Sequence, residues 1–314
     1  MNIIRPIDIE KCTLMDNTSL LLLPNNLFAA RIKNAKNGLQ PIIEAIPATE
    51  EIIMPYAIEL PILAAMRKKI DIMDKKTLTN WIISAQHFQN GIIIGINGLS
   101  LISYNDLIWI RNNISNVPTL AFSAPNGIYS SIAVLKHKIN VIASIQTYKY
   151  ITPEIKGIDI SGHYVCSIGK QIASRYIQMR FELDNNLSGY IASFSKADIT
   201  ISKAIIGIEN GNIRFLSRLD GLEDKMRIGY YRPDYVIEQI QSLQGVISDK
   251  QTNPFFITIP MPFWIHCMKD EQKRILRLLN NLNYKGIIPI VVMETGLLHS
   301  GILDGGNIYI VKIG

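Results

Sequence analysis

Alternation of apolar and polar side chains between residues 172 and 215 constrains the fold more than any other feature of the sequence. Over 177–183 the apolar residues occupy every second position, which is the spacing of a half-buried strand. A polar Asp-Asn-Asn turn follows, and further strands are predicted from Tyr190 and over 199–206, where glycine and asparagine end the run. We interpret the whole stretch as a β meander.

Strands dominate the remainder of the predicted secondary structure, and convincing helices are few. Further strand-like segments are 91–104, 118–122, 139–151, 255–267, 287–293 and 307–313. Three helices are predicted to begin at Asp74, Pro233 and Asp270, where an acidic residue or a proline suits the first turn. Segments 29–35 and 105–113 are compatible with short helices.

These patterns predict an α+β fold that is mainly antiparallel β. A sandwich-like region would contain the meander, and a mixed α/β C-terminal unit would contain the helices from Pro233 and Asp270. The expected division is an N-terminal arm (1–40), a β-rich domain (41–216) and an α+β C-terminal domain (217–314). Pro6 cannot donate to a β ladder, so residues 2–9 are predicted to form an edge strand or an extended arm.

Composition excludes several classes of protein. A 48% apolar fraction argues against a disordered chain, and no apolar run reaches the roughly eighteen residues of a membrane span. The N-terminal sequence has no secretory signal pattern, so a cytoplasmic site of synthesis is expected. Three scattered cysteines, Cys12, Cys166 and Cys267, fit reduced thiols better than a disulfide framework.

The net charge of +6 does not predict a nucleic-acid partner. Basic residues are spread along the chain in small groups, without a long block of like charge. Aromatic residues are not interleaved with arginines in the way of a base-stacking platform. We therefore expect an ordinary solvated surface and no specific nucleic-acid binding.

Histidine and cysteine spacing gives no metal or nucleophile motif. The five histidines are His87, His137, His163, His266 and His299. None of them forms a zinc-ligand pattern with another histidine or with a Cys-x-x-Cys pair. Asp159 and His163 come nearest to a ligand pair, but a surface location is favoured. His266 and Cys267 lie in a predicted strand, where adjacent side chains point to opposite faces.

Glycine and carboxylate motifs are equally uninformative. Segment 91–98 matches neither a P-loop nor a dinucleotide fingerprint, and segment 166–169 lacks the first glycine of a nucleophile elbow. Segment 294–299 is interpreted as a polar loop without an assignable reaction. Four acidic residues are interpreted as solvated surface: Glu209, Glu223, Asp224 and Glu271. No catalytic, cofactor-binding or metal-binding residue is assigned, and no cofactor is expected.

One short segment resembles a known class of proteins. Residues 3–9, Ile-Ile-Arg-Pro-Ile-Asp-Ile, resemble the opening of tailed-bacteriophage virion proteins of the tail or tail tip. The resemblance implies a non-enzymatic structural subunit that contacts itself or other tail subunits, located in a virion assembled in the host cytoplasm. It carries over no catalytic residue. The alternatives are an α/β or α+β enzyme acting on a small molecule, located in the cytoplasm, and a non-viral binding module.

Overall fold

The computed structural model describes fourteen parts of the chain. They are residues 18–23, 27–32, 60–69, 92–96, 102–114, 118–123, 129–135, 138–183, 187, 189–197, 199–243, 255–282, 288–292 and 294–313.

Strands account for most of the regular structure in these parts. In chain order they are β1 (Thr18–Leu23), β2 (Leu27–Ile32), β3 (Leu60–Lys69), β4 (Ile92–Ile96), β5 (Thr119–Ser123), β6 (Tyr129–Leu135), β7 (Ile139–Gln146), β8 (Tyr148–Tyr150), β9 (Ile155–Lys156), β10 (Ile158–Ser161), β11 (Tyr164–Ile168), β12 (Gln171–Ile172), β13 (Tyr190–Lys196), β14 (Ile199–Glu209), β15 (Asn212–Phe215), β16 (Lys225–Tyr231), β17 (Phe255–Pro260), β18 (Ile288–Val292), β19 (Glu294–Leu297), β20 (Ile302–Asp304) and β21 (Asn307–Ile313).

The described helices are fewer than the strands. They are α1 (Tyr104–Ile114), α2 (Ala173–Phe181), α3 (Pro233–Ser242), α4 (Met261–His266) and α5 (Lys269–Asn281), with a 3-10 turn at Leu298–Ser300. In the described part of the chain, no helix has both the length and the apolar character needed to cross a membrane.

The described strands form three sheets. The first has the order β2-β1-β3-β6-β4-β5-β19-β20, and only its β4–β5 pair is parallel. The second has the order β10-β11-β15-β14-β13-β16-β8, with β12 on β11 and β9 on β16, and it is antiparallel throughout. The third, β18-β17-β21-β7, contains one parallel pair, β17–β18, joined by a connection that contains α4 and α5.

Within the described residues, two hydrophobic cores lie against these sheets. The first joins one face of the second sheet to α1, α2, β5 and β20, and Phe194, Phe215 and Ile177 are among its buried members. The second joins the third sheet to α3, α4 and α5 around Tyr231 and Trp264. The fold is therefore α+β and mainly antiparallel, and its C-terminal part is mixed, as the sequence predicted.

The predicted meander is confirmed except for its first strand. Strands β13, β14 and β15 pair in sequence order, and β14 continues past Gly207 through an irregularity in its register with β15. The segment 177–183, however, lies mostly in α2 and not in a strand. The helix buries Ala173, Ser174 and Ile177, the spacing of one helical face, so tertiary packing overrides the period of two.

The segment 255–267 is a second correction. Only β17 is extended, and the chain then enters α4 at Met261. Pro262 explains the change, because proline is favoured in the first turn of a helix, where its missing N–H costs nothing.

Smaller differences concern two more segments. The part of 29–35 that is described, Ala29 to Ile32, is the end of β2 and not a helix. The long strand at 139–151 is two strands, β7 and β8, which lie in different sheets. The short helix at 105–113 and the strand at 118–122 are confirmed as α1 and β5. The arm at 2–9 and the helix from Asp74 lie outside the described residues.

Backbone pairing crosses both expected domain boundaries. Strand β1, from the predicted arm, pairs with β3, and β7, from the predicted β-rich domain, pairs with β21. The division at residues 40 and 216 stays a prediction.

Candidate functional site

All three sheets meet at the turn formed by residues 304–307, which we call the junction turn. Strand β20 enters it from the first sheet, and β21 leaves it into the third. The turn also bonds to the second sheet, because the Gly305 N–H donates to the Ser202 carbonyl at 2.9 Å. Thr147 donates to the Gly306 carbonyl from both its backbone N–H, at 3.0 Å, and its hydroxyl. Four hydrogen-bonding backbone groups are thus satisfied where three sheets converge.

Close packing makes glycine necessary at position 306. A Cβ built there would lie 2.6 Å from Ile191 Cδ1 and 2.8 Å from Tyr148 Cε1. Both distances are well below van der Waals contact for carbon atoms. Strands β13 and β8 therefore approach the junction turn too closely for any side chain at this position.

Asp304 is the central polar group of the turn and is 4% exposed. One carboxylate oxygen accepts the Gly306 N–H at 2.6 Å. The other accepts the Asn307 amide at 2.5 Å and the Tyr309 hydroxyl at 2.9 Å. These bonds close the turn on itself and fix the start of β21, in the manner of an Asx turn.

Burial raises the pKa of Asp304 from its ordinary value near 3.8 to about 6. The hydrogen bonds from Gly306 and Tyr309 and the positive charge of Lys203 act in the opposite direction, and the charge of Glu294 adds to the rise. The loss of hydration is the largest of these effects.

A buried ion pair lies beside the junction turn. Lys203 Nζ, on β14, donates to Glu294 Oε1, on β19, at 2.6 Å, and both side chains are 2% exposed. The Ser217 hydroxyl donates to the same carboxylate oxygen at 2.5 Å. The pair joins the second sheet to the first, in a setting where an unpaired charge would be very costly.

Hydroxyl groups complete the polar interior around the turn. The Tyr148 hydroxyl lies 2.7 Å from the hydroxyls of both Ser193 and Ser202, which are 3.0 Å from each other. Nearby strands are joined in the same way, because the Thr295 hydroxyl donates to the Thr258 hydroxyl at 2.9 Å. Burial raises the pKa of Tyr148, so its phenol is neutral and available as a donor at physiological pH.

This arrangement suits two tasks. Its charges and hydroxyls bond to one another across three sheets, so it fixes their relative positions. Asp304 adds a group that can take up or release a proton near pH 6.

The residues at 294–299, interpreted as a loop, form β19 and the 3-10 turn instead. Strand β19 pairs with β5 on one side and β20 on the other, which explains why Glu294 is buried. His299 Nδ1 lies 3.0 Å from the backbone nitrogen of Thr119 at the start of β5, and burial lowers its pKa. Both end residues of this segment therefore connect elements of the fold.

His266 and Cys267 lie at the end of α4 and not in a strand. The His266 ring packs edge-on against Tyr230, with 5.0 Å between ring centroids, and burial lowers its pKa. Burial raises the pKa of the Cys267 thiol, so the thiolate needed for nucleophilic chemistry is disfavoured.

The remaining candidates are dispersed. Asp159 lies in β10 and Cys166 in β11, and His163 lies in the turn between the two strands. Groups of three or more potential metal ligands do not occur within the described residues. Glu209 accepts the Tyr164 hydroxyl and lies 3.2 Å from Arg214, on an exposed hairpin.

Two further acidic residues bond to the backbone near the surface. Glu223 accepts the Gly221 N–H, and Glu271 accepts the Met268 N–H at the start of α5. His87, His137 and Cys12 lie outside the described residues. The described part of 91–98 is strand β4, Ile92–Ile96.

Sequence reasoning missed Lys203 and Asp304. Lys203 carried a signal, because it shares the parity of Ile199, Ile201 and Ile205 and so belongs to the apolar face of its strand. A lysine at such a position requires a buried partner. Asp304 precedes Gly-Gly-Asn, which signals a turn but not burial.

No family model matches the chain, and no curated protein or solved structure matches it either.

Proposed function

We propose that this chain is a non-enzymatic structural subunit of a phage-like virion tail or tail tip. Its partners would be copies of itself or other tail subunits, and its location a virion assembled in the host cytoplasm. The short resemblance of residues 3–9 to tail and tail-tip proteins motivates the choice of assembly.

One observation supports a structural role: the buried charged groups of the junction are enclosed and are bonded to other parts of the fold. Lys203, Glu294 and Asp304 converge, but they are 1–4% exposed and bond to neighbouring strands. A catalytic group must be reachable by its substrate. Enclosed charges of this kind hold the sheets in fixed relative positions. A subunit of a rigid assembly needs such fixed positions.

Exposed apolar side chains are candidates for the contacts between subunits. Ile265 and Met268, around the end of α4, are 59% and 69% exposed. Ile172 and Met179, at the start and on the outer side of α2, are 54% and 70% exposed. Apolar residues exposed in pairs lose unfavourable hydration when a partner covers them, so these two places suit protein contacts.

A second candidate, an enzyme acting on a small molecule, is favoured by one observation. The raised pKa of Asp304, surrounded by the hydroxyls of Tyr309 and nearby Tyr148, resembles the tuning of general acids and bases. The enclosure of this carboxyl favours the structural role.

Native mass spectrometry of the purified chain over a range of micromolar concentrations tests the choice. The structural proposal expects defined oligomers whose population grows with concentration. A monomer that carries a bound small molecule would contradict it and favour the enzyme.

Two double variants test the contact surfaces: Ile265→Ser with Met268→Ser, and Ile172→Ser with Met179→Ser. Loss of oligomers in one variant and retention in the other identifies the surface used. Retention in both variants would place the contacts elsewhere on the chain.

A further inference from the structure

Asp304 combines burial with hydrogen-bond donors that are all neutral. They are a backbone N–H, the Asn307 amide and the Tyr309 hydroxyl. The nearest buried ammonium, that of Lys203, donates a hydrogen bond to Glu294 at 2.6 Å and not to Asp304. An ionised Asp304 therefore holds its charge in the interior without a directly bonded cation among the described residues, which is an expensive arrangement.

The charged and titratable groups that face Asp304 come from five strands. They are Lys203 from β14, Glu294 from β19, Tyr309 from β21, Tyr148 from β8 and Tyr231 from β16. Lys203 favours the ionised carboxylate, and Glu294 opposes it. Burial raises the pKa values of all three tyrosines, so they remain neutral and change no charge in the acid range.

We propose that Asp304 is a proton-controlled anchor for the junction turn: the protonated carboxyl holds the three sheets together, and its ionisation loosens them. The turn is suited to such control because it bonds to all three sheets within four residues. A protonated carboxyl also keeps its partners, because the Tyr309 hydroxyl can accept its proton while Gly306 still donates. This inference does not depend on the proposed tail function.

The expected pH dependence follows from the direction of the pKa change. The folded chain binds the Asp304 proton more tightly than the unfolded chain, since burial raises the pKa from 3.8 to about 6. The stabilisation is fully present below the unfolded value and is lost as the pH rises through the folded value. The unfolding constant should rise by up to about tenfold per pH unit in this window and then level off.

The test compares denaturant unfolding of the wild-type chain and Asp304→Asn from about pH 4 to 7.5. Asparagine imitates the protonated acid, so the variant should lack the loss of stability that the wild type shows up to about pH 6. The histidines with lowered pKa, His266 and His299, contribute equally to both proteins and cancel in the difference. Asp270→Asn, at a carboxyl that is 98% exposed, should keep the wild-type dependence. Equal pH profiles for wild type and Asp304→Asn would overturn the proposal.

A second measurement decides the matter if Asp304→Asn does not fold. Carboxyl carbon NMR of the wild-type chain should show one group that titrates near 6, and Tyr309→Phe should move its midpoint upward. The reason is that the Tyr309 hydroxyl stabilises the ionised form. Amide exchange at Gly305 and Thr147 should accelerate with the same midpoint, beyond the ordinary effect of pH on exchange. Absence of any carboxyl that titrates above about 5 would refute the anchor.

Discussion

The buried ion pair shows how a single residue, Lys203, fixes the position of the second sheet relative to the first. Lys203 follows an apolar alternation that places it inside, and its ammonium is accommodated because Glu294 comes from another sheet. The sequence could predict the inward direction of Lys203 from its parity with Ile201 and Ile205. It could not predict the partner, which lies 91 residues away and becomes adjacent only when the two sheets pack.

Lys203→Met is expected to destabilise the chain by about 3–5 kcal/mol, because it removes the ammonium from a buried carboxylate. Urea unfolding measures the change. Lys225→Met is the control, since Lys225 lies 3.6 Å from Glu154 with both side chains at least 36% exposed. That pair should contribute only about 0–1 kcal/mol. Similar losses in the two variants would contradict the description of Lys203–Glu294 as a buried pair.

The double variant Lys203→Met with Glu294→Met completes the comparison. Replacing both charges removes the unpaired carboxylate, so it should be less destabilising than Lys203→Met. Glu294→Met alone is measured as well. If the loss of stability of the double variant equals the sum of the losses of the two single variants, the two side chains act independently.

At the scale of elements, local patterns predicted strands well and failed where two periods compete. Strands β13, β14 and β15 follow directly from alternation and turn residues, and α3 and α5 from their first turns. In α2 the apolar and polar residues also alternate, but the buried residues Ala173 and Ile177 are four positions apart, which is a helical spacing. Because strand and helix patterns overlap over so short a length, packing against β11 and β15 decided the structure.

A pair of substitutions in α2 distinguishes the helix from the predicted strand. A strand would place Ile177 and Met179 on one face, whereas the helix buries Ile177 completely and leaves Met179 70% exposed. Ile177→Ala should therefore cost about 2–5 kcal/mol in stability. Met179→Ala should stay within about 0.5 kcal/mol of wild type. Thermal unfolding checks both, and equal losses would support the strand.

At the scale of the whole molecule, the pairing of strands that are distant in the chain could not be predicted from the sequence. Strand β7 joins β21 in the third sheet although more than half of the described chain separates them, while β8, one residue later, joins the second sheet. The register of such pairs is set by the cores and by the junction turn, not by local patterns. The site shares this property, because its groups come from strands that are distant in sequence.

Residues 2–9 offer a direct test of the proposed assembly. Their sequence places Ile3, Ile7 and Ile9 at odd positions, and Pro6 removes one backbone donor. An extended segment of this kind is stable only when a sheet edge supplies hydrogen-bond partners and apolar contacts. In a tail assembly the edge would belong to a neighbouring subunit, and in an isolated enzyme it would belong to the same chain.

Deletion of residues 1–10 should therefore abolish oligomers in native mass spectrometry while urea unfolding of the truncated chain remains cooperative. Replacement of Ile3, Ile7 and Ile9 by serine should have the same effect at nearly full length, because it removes the apolar contacts and keeps the backbone. Asp8→Ala is the control and should assemble normally, because in an extended segment an even position lies on the face opposite to the three isoleucines. Truncated chains that fail to fold as monomers would show that residues 2–9 complete their own core. Unchanged oligomers would show that these residues are dispensable for assembly.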